Sequence, residues 1–250
     1  MRALPRLVAH LARRELESTH RMTVLGWLWP LARQLVQLAV LVFIFSHVLD
    51  LGIHDFPVFV FCGLIAWNWF SIGLGAATSS LLDRRHLVHQ PRVPPSVLPL
   101  VAISVPLVDM VMALPVLLLM LAFGDGLRWT MLLVPLLLVV QFVLMSGIAW
   151  LTSAAAVFFR DVPNVVGVLL TVLFYATPVF YAVSKIPSKY SPVLHANPMT
   201  ALVEAYRALL LGGPFPSALA SLYVVVLSVA LFGLGLLAFR SLEGRFADNL

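Results

Sequence analysis

The sequence has little charge, little lysine and little cysteine. Charged residues make up 11% of its 250 residues and hydrophobic residues 61%, whereas a soluble domain is typically about 25% charged and about 45–50% apolar. So few charges cannot cover a globule of this size, which excludes a soluble enzyme and a disordered tail. The single cysteine, Cys62, excludes an intramolecular disulfide and any CxxC metal or redox motif.

The basic residues do not form the stripes of a nucleic-acid-binding protein. The net charge of +5 comes from 16 Lys and Arg against 11 Asp and Glu. They stand in short clusters between apolar runs, without the interleaved polar contacts that nucleic-acid binding requires. We expect no nucleic-acid partner.

A Walker A loop is also missing. That loop needs glycines, a lysine for the phosphates and a following Ser or Thr. The lysines of the chain, Lys185 and Lys189, each follow a serine and lie outside any such loop. No Ser–His–Asp or paired-carboxylate arrangement stands out either. We therefore expect no catalytic residue and no cofactor on this chain, and any energy for uphill transport has to come from a partner chain.

Long apolar runs are the main feature that the sequence does have. A helix needs about 20 apolar residues to cross a hydrocarbon core of about 30 Å, and the runs show neither the one-sided pattern of a surface helix nor the alternation of a barrel strand. We predict an all-α integral membrane protein with six transmembrane helices, because backbone groups in lipid must be satisfied within their own segment. The runs are Leu31–Leu49, Phe56–Leu82, Leu98–Phe123, Met131–Phe159, Val162–Ala182 and Phe215–Phe239.

The positions of the positive charges predict the topology. We expect a single transmembrane domain over residues 1–250, in which 1–30 form a cytoplasmic interface helix and a motif before the first span, 31–239 hold the six spans, and 240–250 form a cytoplasmic tail. Twelve basic residues then lie on the cytoplasmic side and four outside, which satisfies the positive-inside rule with both termini in the cytoplasm. The four outside are Arg128, Lys185, Lys189 and Arg207.

The segment Leu4–Met22 has one apolar and one basic face when it is drawn as a helix. This pattern is typical of a helix that lies in the headgroup plane with its arginines toward anionic lipid. A simple topology signal is the alternative. The apolar face consists of Leu4, Leu7, Val8, Leu11 and Ala12.

The connection between the fifth and sixth runs contains a second apolar segment, Met199–Leu211. It is too short to cross the membrane. Asn197–Pro198 predict the start of a helix and Gly212–Gly213 its end. We interpret it as a re-entrant external element, with an ordinary surface helix as the alternative. Glu204 and Arg207, three residues apart, can pair on it.

Few ionisable residues occur inside the runs. Asp109 is the one acid well inside a run. It fits either a carboxyl that hydrogen-bonds to a neighbouring helix or a proton relay, which normally needs several such groups.

His86 and His89 have helix-like spacing beside Arg84 and Arg85, but no Cys or carboxylate ligand set is near them, so we predict no metal site.

Several short motifs occur along the chain in the order found in one family of membrane proteins. They are Leu25–Gly26–Trp27–Leu28–Trp29–Pro30, Phe56–Pro57 with Gly63 and Trp67, Phe159–Arg160–Asp161–Val162, Pro178–Val179–Phe180–Tyr181, Asn197–Pro198 with Tyr206–Arg207 and Gly212, and Phe246–Ala247–Asp248. The chain thereby resembles the ABC-2 type permease subunits of bacterial exporters for O-antigen, teichoic acid and related lipid-linked polysaccharides. It departs from them at Arg33–Gln34, where the family pattern has Asn–Pro.

This resemblance implies a multi-pass protein of the bacterial inner membrane that forms a homodimer with its first and fifth spans at the seam. Two copies of a separate ATP-binding subunit, which hold ATP and Mg, would drive a polyprenyl-diphosphate-linked polysaccharide through it. The resemblance also implies an N-terminal interface helix, a coupling helix in the second cytoplasmic connection, and external gating helices in the fifth connection. The coupling surface would include Arg84, Arg85, His86 and His89, and the gate Glu204 and Arg207.

Two groups of side chains are candidates for contact with the cargo. Aromatic rings bind sugars by stacking, and the predicted channel residues are Tyr175, Phe180, Tyr181, Trp67 and Phe70; packing or lipid contact is the alternative for each. Guanidinium groups suit a diphosphate. The candidates where the headgroup would enter are Arg14, Arg21, Arg33 and Arg160, for which contact with anionic lipid is the alternative.

Other functions are also compatible with the sequence. Within the same family, a permease for drugs or lipids is the nearest alternative. A membrane-embedded transferase acting on lipid-linked sugars would need an acid or histidine constellation at one membrane face, which the sequence does not show. A purely structural scaffold is disfavoured by the re-entrant segment.

Overall fold

The computed structural model describes residues 8–13, 15, 26–45, 53, 55–85, 94–124 and 126–249, and it is helical without strands in that part of the chain. This confirms the predicted all-α fold class. The α-helices are α1 (Trp29–Phe43), α2 (Phe56–Asp83), α3 (Val97–Phe123), α4 (Val134–Phe158), α5 (Val162–Ala176), α6 (Ser191–Ala196), α7 (Pro198–Leu211), α8 (Ala218–Leu242) and α9 (Phe246–Asn249). Short 3-10 helices lie at Gly26–Leu28, Trp129–Leu133, Val183–Lys185, Ser188–Tyr190 and Glu243–Arg245.

Within the described residues, four helices are long and apolar enough to cross a membrane. They are α2, α3, α4 with the 3-10 turn before it, and α8 with the turn after it. Helices α1 and α5 have 15 residues each, which gives about 22 Å at about 1.5 Å per residue and falls short of a core of about 30 Å. The count of six spans therefore stays a prediction. Residues 46–52, which follow the first helix, lie outside the described part.

Prolines set the ends of many of these helices. A proline stands in the first turn of α1, α2, α4, α5, α6 and α7, where its missing N–H would have no helical partner anyway. Pro178 acts in the opposite way, because the residue before a proline avoids the helical region and Thr177 is extended. The fifth apolar run reaches Ala182, but its helix therefore ends at Ala176.

Helix α2 lies at the centre of the bundle and packs against α1, α3, α4, α5 and α7. It is apolar all round, as expected of a helix buried on every side, and Phe61 is fully buried. Two side chains fix it to its neighbours. Trp69 donates its Nε1–H to the carbonyl of Ile103 at 3.0 Å, and Gln141 donates its Nε2–H to the carbonyl of Ala66 at 2.9 Å.

Helix α7 is the apolar segment of the fifth connection, and it packs against α2, α4 and α8. Its start and its end confirm the sequence prediction. The Asn197 Oδ1 accepts from the Met199 N–H at 3.0 Å, and Gly212 follows the helix with a φ of 75°, a left-handed conformation that suits glycine. Its depth relative to a membrane stays a prediction.

Candidate functional site

The described part of the predicted N-terminal interface helix comprises residues 8–13 and 15, and it packs on the start of α3. Val8, Leu11 and Ala12 form a small apolar cluster with Val97 and Val101. These three side chains belong to the predicted apolar face. The described part of that face therefore contacts protein and holds residues 8–13 against the bundle.

An ion pair joins this interface helix to the second predicted cytoplasmic connection. Arg84 donates its Nη2–H to the Glu15 Oε1, with the two side chains 21% and 29% exposed. Arg85 is exposed beside it. The other two residues of the predicted coupling surface, His86 and His89, lie outside the described residues. The structure thus connects the two elements that are expected to face a partner chain.

A cavity of about 280 Å³ opens between the interface helix, α1, α2 and α3. Its lining includes Glu15, Arg33 and Asp109 beside apolar groups such as Trp29 and Pro106. In the sequence, Arg33 is a predicted phosphate ligand and Asp109 is the one acid well inside an apolar run. The fold places both at one cavity, a proximity that no sequence spacing indicates.

The structure describes two of the four candidate phosphate-binding arginines, and they lie at different places. Arg33 is exposed at the start of α1, and Arg160 is exposed just after α4. Arg14 and Arg21 lie outside the described residues. The structure therefore associates Arg33 with a cavity and leaves Arg160 on the surface, where anionic lipid is also a suitable partner.

The predicted channel aromatics divide into a buried and an accessible group. Trp67 and Phe70 on α2 are each 3% exposed within the single chain, and their ring centroids are 5.5 Å apart. Tyr175 is 65% exposed, and Phe180 and Tyr181 are half-buried. Tyr175, Phe180 and Tyr181 are therefore the rings that this chain leaves accessible to a ligand or a second copy.

Two further aromatic residues join these groups. The ring centroid of Phe174 lies 5.8 Å from that of Trp67 and 5.8 Å from that of Phe180. Phe45, after α1, stacks on Phe180 with centroids 5.0 Å apart and an interplanar angle of 22°. Hydropathy gave no reason to select Phe45, because it lies inside a uniformly apolar run. We define the aromatic cluster as Phe45, Trp67, Phe174, Tyr175, Phe180 and Tyr181.

The charged pair predicted on α7 is arranged differently from what its spacing indicates. Arg207 donates to the carbonyls of Pro178 and Val179, each at 2.6 Å, and among the described residues its hydrogen bonds go to main-chain oxygens rather than to Glu204. Glu204 and Arg207 line a cavity of about 320 Å³ together with Phe59. Helix α7 thereby contacts the segment after α5, which carries the accessible rings of Phe180 and Tyr181.

Comparison with known proteins agrees with the motifs. The family model described as ABC-2 type transporter matches residues 6–211. The chain is 33% identical to the O-antigen export system permease protein RfbA of Myxococcus xanthus, over 98% of this chain and 95% of that protein. It is 27% identical to the RfbA permease of Klebsiella pneumoniae over the same shares, and 23% identical to the polysialic acid transport protein KpsM of Escherichia coli over 92% of this chain and 91% of that protein. The chain belongs to the ABC-2 type transporter family, as its motifs predict.

Proposed function

We propose that this chain is the permease subunit of an ATP-driven exporter that moves a polyprenyl-diphosphate-linked polysaccharide, of the O-antigen type, across the bacterial cytoplasmic membrane. The observation that carries the proposal is similarity along almost the whole chain to a permease named for O-antigen export. A more distant relative is named for transport of polysialic acid. The names of these relatives have a polysaccharide cargo in common.

The aromatic cluster supports a glycan as the cargo. Sugar rings present apolar C–H faces that stack on aromatic side chains. Tyr175, Phe180 and Tyr181 are neighbours, with ring centroids 5.2 to 6.3 Å apart and adjacent rings tilted by 75° and 81°. Closely spaced rings suit a polymer that slides, because a sugar can pass from one aromatic contact to the next without breaking directional hydrogen bonds.

The surface of α5 supports a homodimer. None of the α5 residues is buried within the chain, and its outward stripe follows the three- and four-residue spacing of one helix face. A second copy on this stripe would place two aromatic clusters opposite each other. The stripe consists of Val165, Val168, Leu169 and Val172, each more than half exposed.

ATP hydrolysis belongs, in this proposal, to two copies of a separate ATP-binding subunit that hold ATP and Mg. Neither Lys185 nor Lys189 lies in a phosphate-binding loop. We expect that subunit to dock on the surface that carries the ion pair of Glu15 and Arg84, on the side where we also expect both termini. The proposal therefore separates the conduit from its source of energy.

Co-expression with an ATP-binding subunit from the same organism tests this proposal. We expect the two chains to co-purify from mild detergent in equal amounts, and ATP turnover to require the complex. Cells without this chain should lose surface polysaccharide and accumulate lipid-linked polymer inside. A partner with its Walker lysine replaced by alanine is the control, and should give the same accumulation without loss of the complex.

Three outcomes would contradict the proposal. They are a permease that stays alone and monodisperse in several mild detergents, ATP turnover by the isolated chain, and termini that are reached from opposite sides of the membrane.

A further inference from the structure

The chain that follows α5 leaves the helical conformation while it is still buried. We name Thr177–Tyr181 the unwound segment. Val179 within it is fully buried. Backbone carbonyls in a membrane protein need partners when they are not in a helix, because lipid cannot hydrogen-bond to them. The unwound segment finds these partners on α7.

Arg207 of α7 binds two consecutive carbonyls of the unwound segment. Its Nη1 and Nη2 donate to the oxygens of Pro178 and Val179, each at 2.6 Å, and its Nε donates to the oxygen of Phe59 at 3.3 Å. The guanidinium carbon lies 3.5 Å from the centroid of the Phe59 ring, and the side chain is 7% exposed. The planar guanidinium can donate to two neighbouring carbonyl oxygens at once in a fixed geometry. The ammonium group of a lysine has no such geometry.

The other end of α7 holds the same segment. Asn197 donates its Nδ2–H to the Thr177 Oγ1 at 2.8 Å, while its Oδ1 caps the helix by accepting from Met199. Asn197 and Arg207 are ten residues apart, or about 15 Å along a helix. Helix α7 therefore fastens the unwound segment at two separate points.

Gly63 on α2 leaves the space that this arrangement needs. A Cβ at this position would lie 2.9 Å from the Arg207 Nη2 and 3.1 Å from the Val179 oxygen. Both distances are shorter than ordinary van der Waals contact, so even a methyl group would push the guanidinium or the unwound segment away. Three elements, α2, α7 and the unwound segment, thus meet at Arg207.

Phe180 and Tyr181 follow directly after the carbonyls that Arg207 holds. Phe180 stacks on Phe45 with ring centroids 5.0 Å apart. Tyr181 donates its O–H to the carbonyl of Tyr175 at 3.0 Å. Because a peptide unit is planar, the direction of its carbonyl restricts where the next side chain can point.

We propose that Arg207 is a positioning residue that sets the orientation of Phe180 and Tyr181. It acts through the carbonyls of Pro178 and Val179 and has no need to touch the cargo. The functional consequence, more polymer moved per ATP, rests on the proposed function. The placement of the rings does not, since it can be measured without any polysaccharide.

Arg207→Gln is the first test variant. A reporter cysteine, Ala182→Cys, is placed just after the rings in a Cys62→Ala background, and its reaction with a water-soluble maleimide is timed in purified permease–ATPase complex in lipid nanodiscs. The labelling rate should rise by about tenfold or more, because charge-assisted hydrogen bonds to the segment are lost. A second reporter, Ala238→Cys at the far end of α8, should keep its rate.

Gly63→Ala should displace the Arg207 guanidinium without removing it, and it is the deciding variant if Arg207→Gln is not recovered from membranes. Its matched control is Gly75→Ala on the same helix, where a new Cβ meets nothing within 4 Å. Labelling at Ala182→Cys should rise in Gly63→Ala and stay unchanged in Gly75→Ala. Equal rates in the two glycine variants would overturn the proposal.

The export assay separates positioning from general structural support. Arg207→Gln should lower polymer export while ATP turnover by the complex continues. Tyr206→Phe is the control, because Tyr206 is a buried neighbour whose hydroxyl has no hydrogen-bond partner among the described residues. It should change neither export nor ATP turnover. An equal rise in labelling at both reporters, or an equal fall in export and ATP turnover, would overturn the positioning role. If the wild-type complex exports no polysaccharide, the proposed function fails, whereas the labelling result still decides the role of Arg207.

Discussion

Gly235→Ala is expected to lower the free energy of unfolding of the permease by about 2 kcal/mol or more, as overpacking in a closed helix contact does. A Cβ on Gly235 would overlap the main-chain atoms of Gly147 on α4, and a Cβ on Gly147 would overlap the main chain of α8 at Leu231 and Phe232. Backbone atoms cannot turn aside as a flexible side chain can. The two helices must separate, and denaturant unfolding in detergent should show the loss.

Gly233→Ala is the matched control on the same helix. A Cβ there meets nothing within 4 Å, and alanine is more favourable than glycine inside a helix by about 1 kcal/mol. The control should therefore leave the unfolding free energy unchanged or raise it slightly. If both substitutions destabilised the protein equally, the close approach of α4 and α8 would not be a feature of the folded permease.

This contact follows from how helices associate in lipid. Inside the bilayer the hydrophobic effect does not drive helices together, because lipid tails are as apolar as the side chains. Small residues instead let two backbones approach closely, and the van der Waals packing that results stabilises the contact. Helix α8 buries a single stripe toward the bundle, Val224, Ser228, Gly235 and Phe239, and leaves its other faces apolar and exposed. Uniform hydropathy hides such a stripe, because every face of the helix is equally apolar.

Arg84→Glu is expected to reduce ATP-driven export by about tenfold, since it places like charges where the ion pair with Glu15 now stands. Insertion and folding should stay nearly unchanged, because partly exposed ion pairs contribute about 0–1 kcal/mol to stability. The affected step is the coupling of conformational changes between the N-terminal helix and the connection after α2, which are both expected to contact the ATPase. Export and ATP turnover, measured together in proteoliposomes, check this.

The exchanged pair Glu15→Arg with Arg84→Glu should restore most of the export. Its control is Glu15→Arg with Arg85→Glu, which has the same net charge but leaves Arg84 facing a positive residue. Rescue by both double variants, or by neither, would remove the ion pair from the coupling mechanism.

Much of the molecule follows from local sequence properties. The limits of α2 and α3 match their apolar runs within a residue or two, because in lipid each segment must satisfy its own backbone. Asn197 and Gly212 mark the ends of α7 by side-chain capping and a left-handed backbone, which depend on neighbouring residues alone. The family also followed from motifs in the correct order, and the comparisons confirm it.

The arrangement around Arg207 could not be predicted in this way. Its spacing from Glu204 indicated a pair on one helix, but the guanidinium binds carbonyls 28 and 29 residues away. Main-chain oxygens are present at every residue, so nothing in the sequence marks the ones that a helix leaves free. Pro178 indicates that α5 ends before it, but it does not indicate which group hydrogen-bonds to the carbonyls that follow the helix.

The sequence by itself determined that this is an apolar helical membrane protein of the ABC-2 type. Hydropathy, prolines and capping residues define each helix locally, because each of them affects only the backbone a few residues away. The tertiary structure decided which of its many similar apolar faces meet: Gly147 against Gly235, Arg33 at one cavity with Asp109, and Arg207 on the unwound segment. The reason is physical. In a chain where most side chains are apolar, composition no longer separates inside from outside, and the few close contacts and polar groups that fix the packing join residues far apart along the chain.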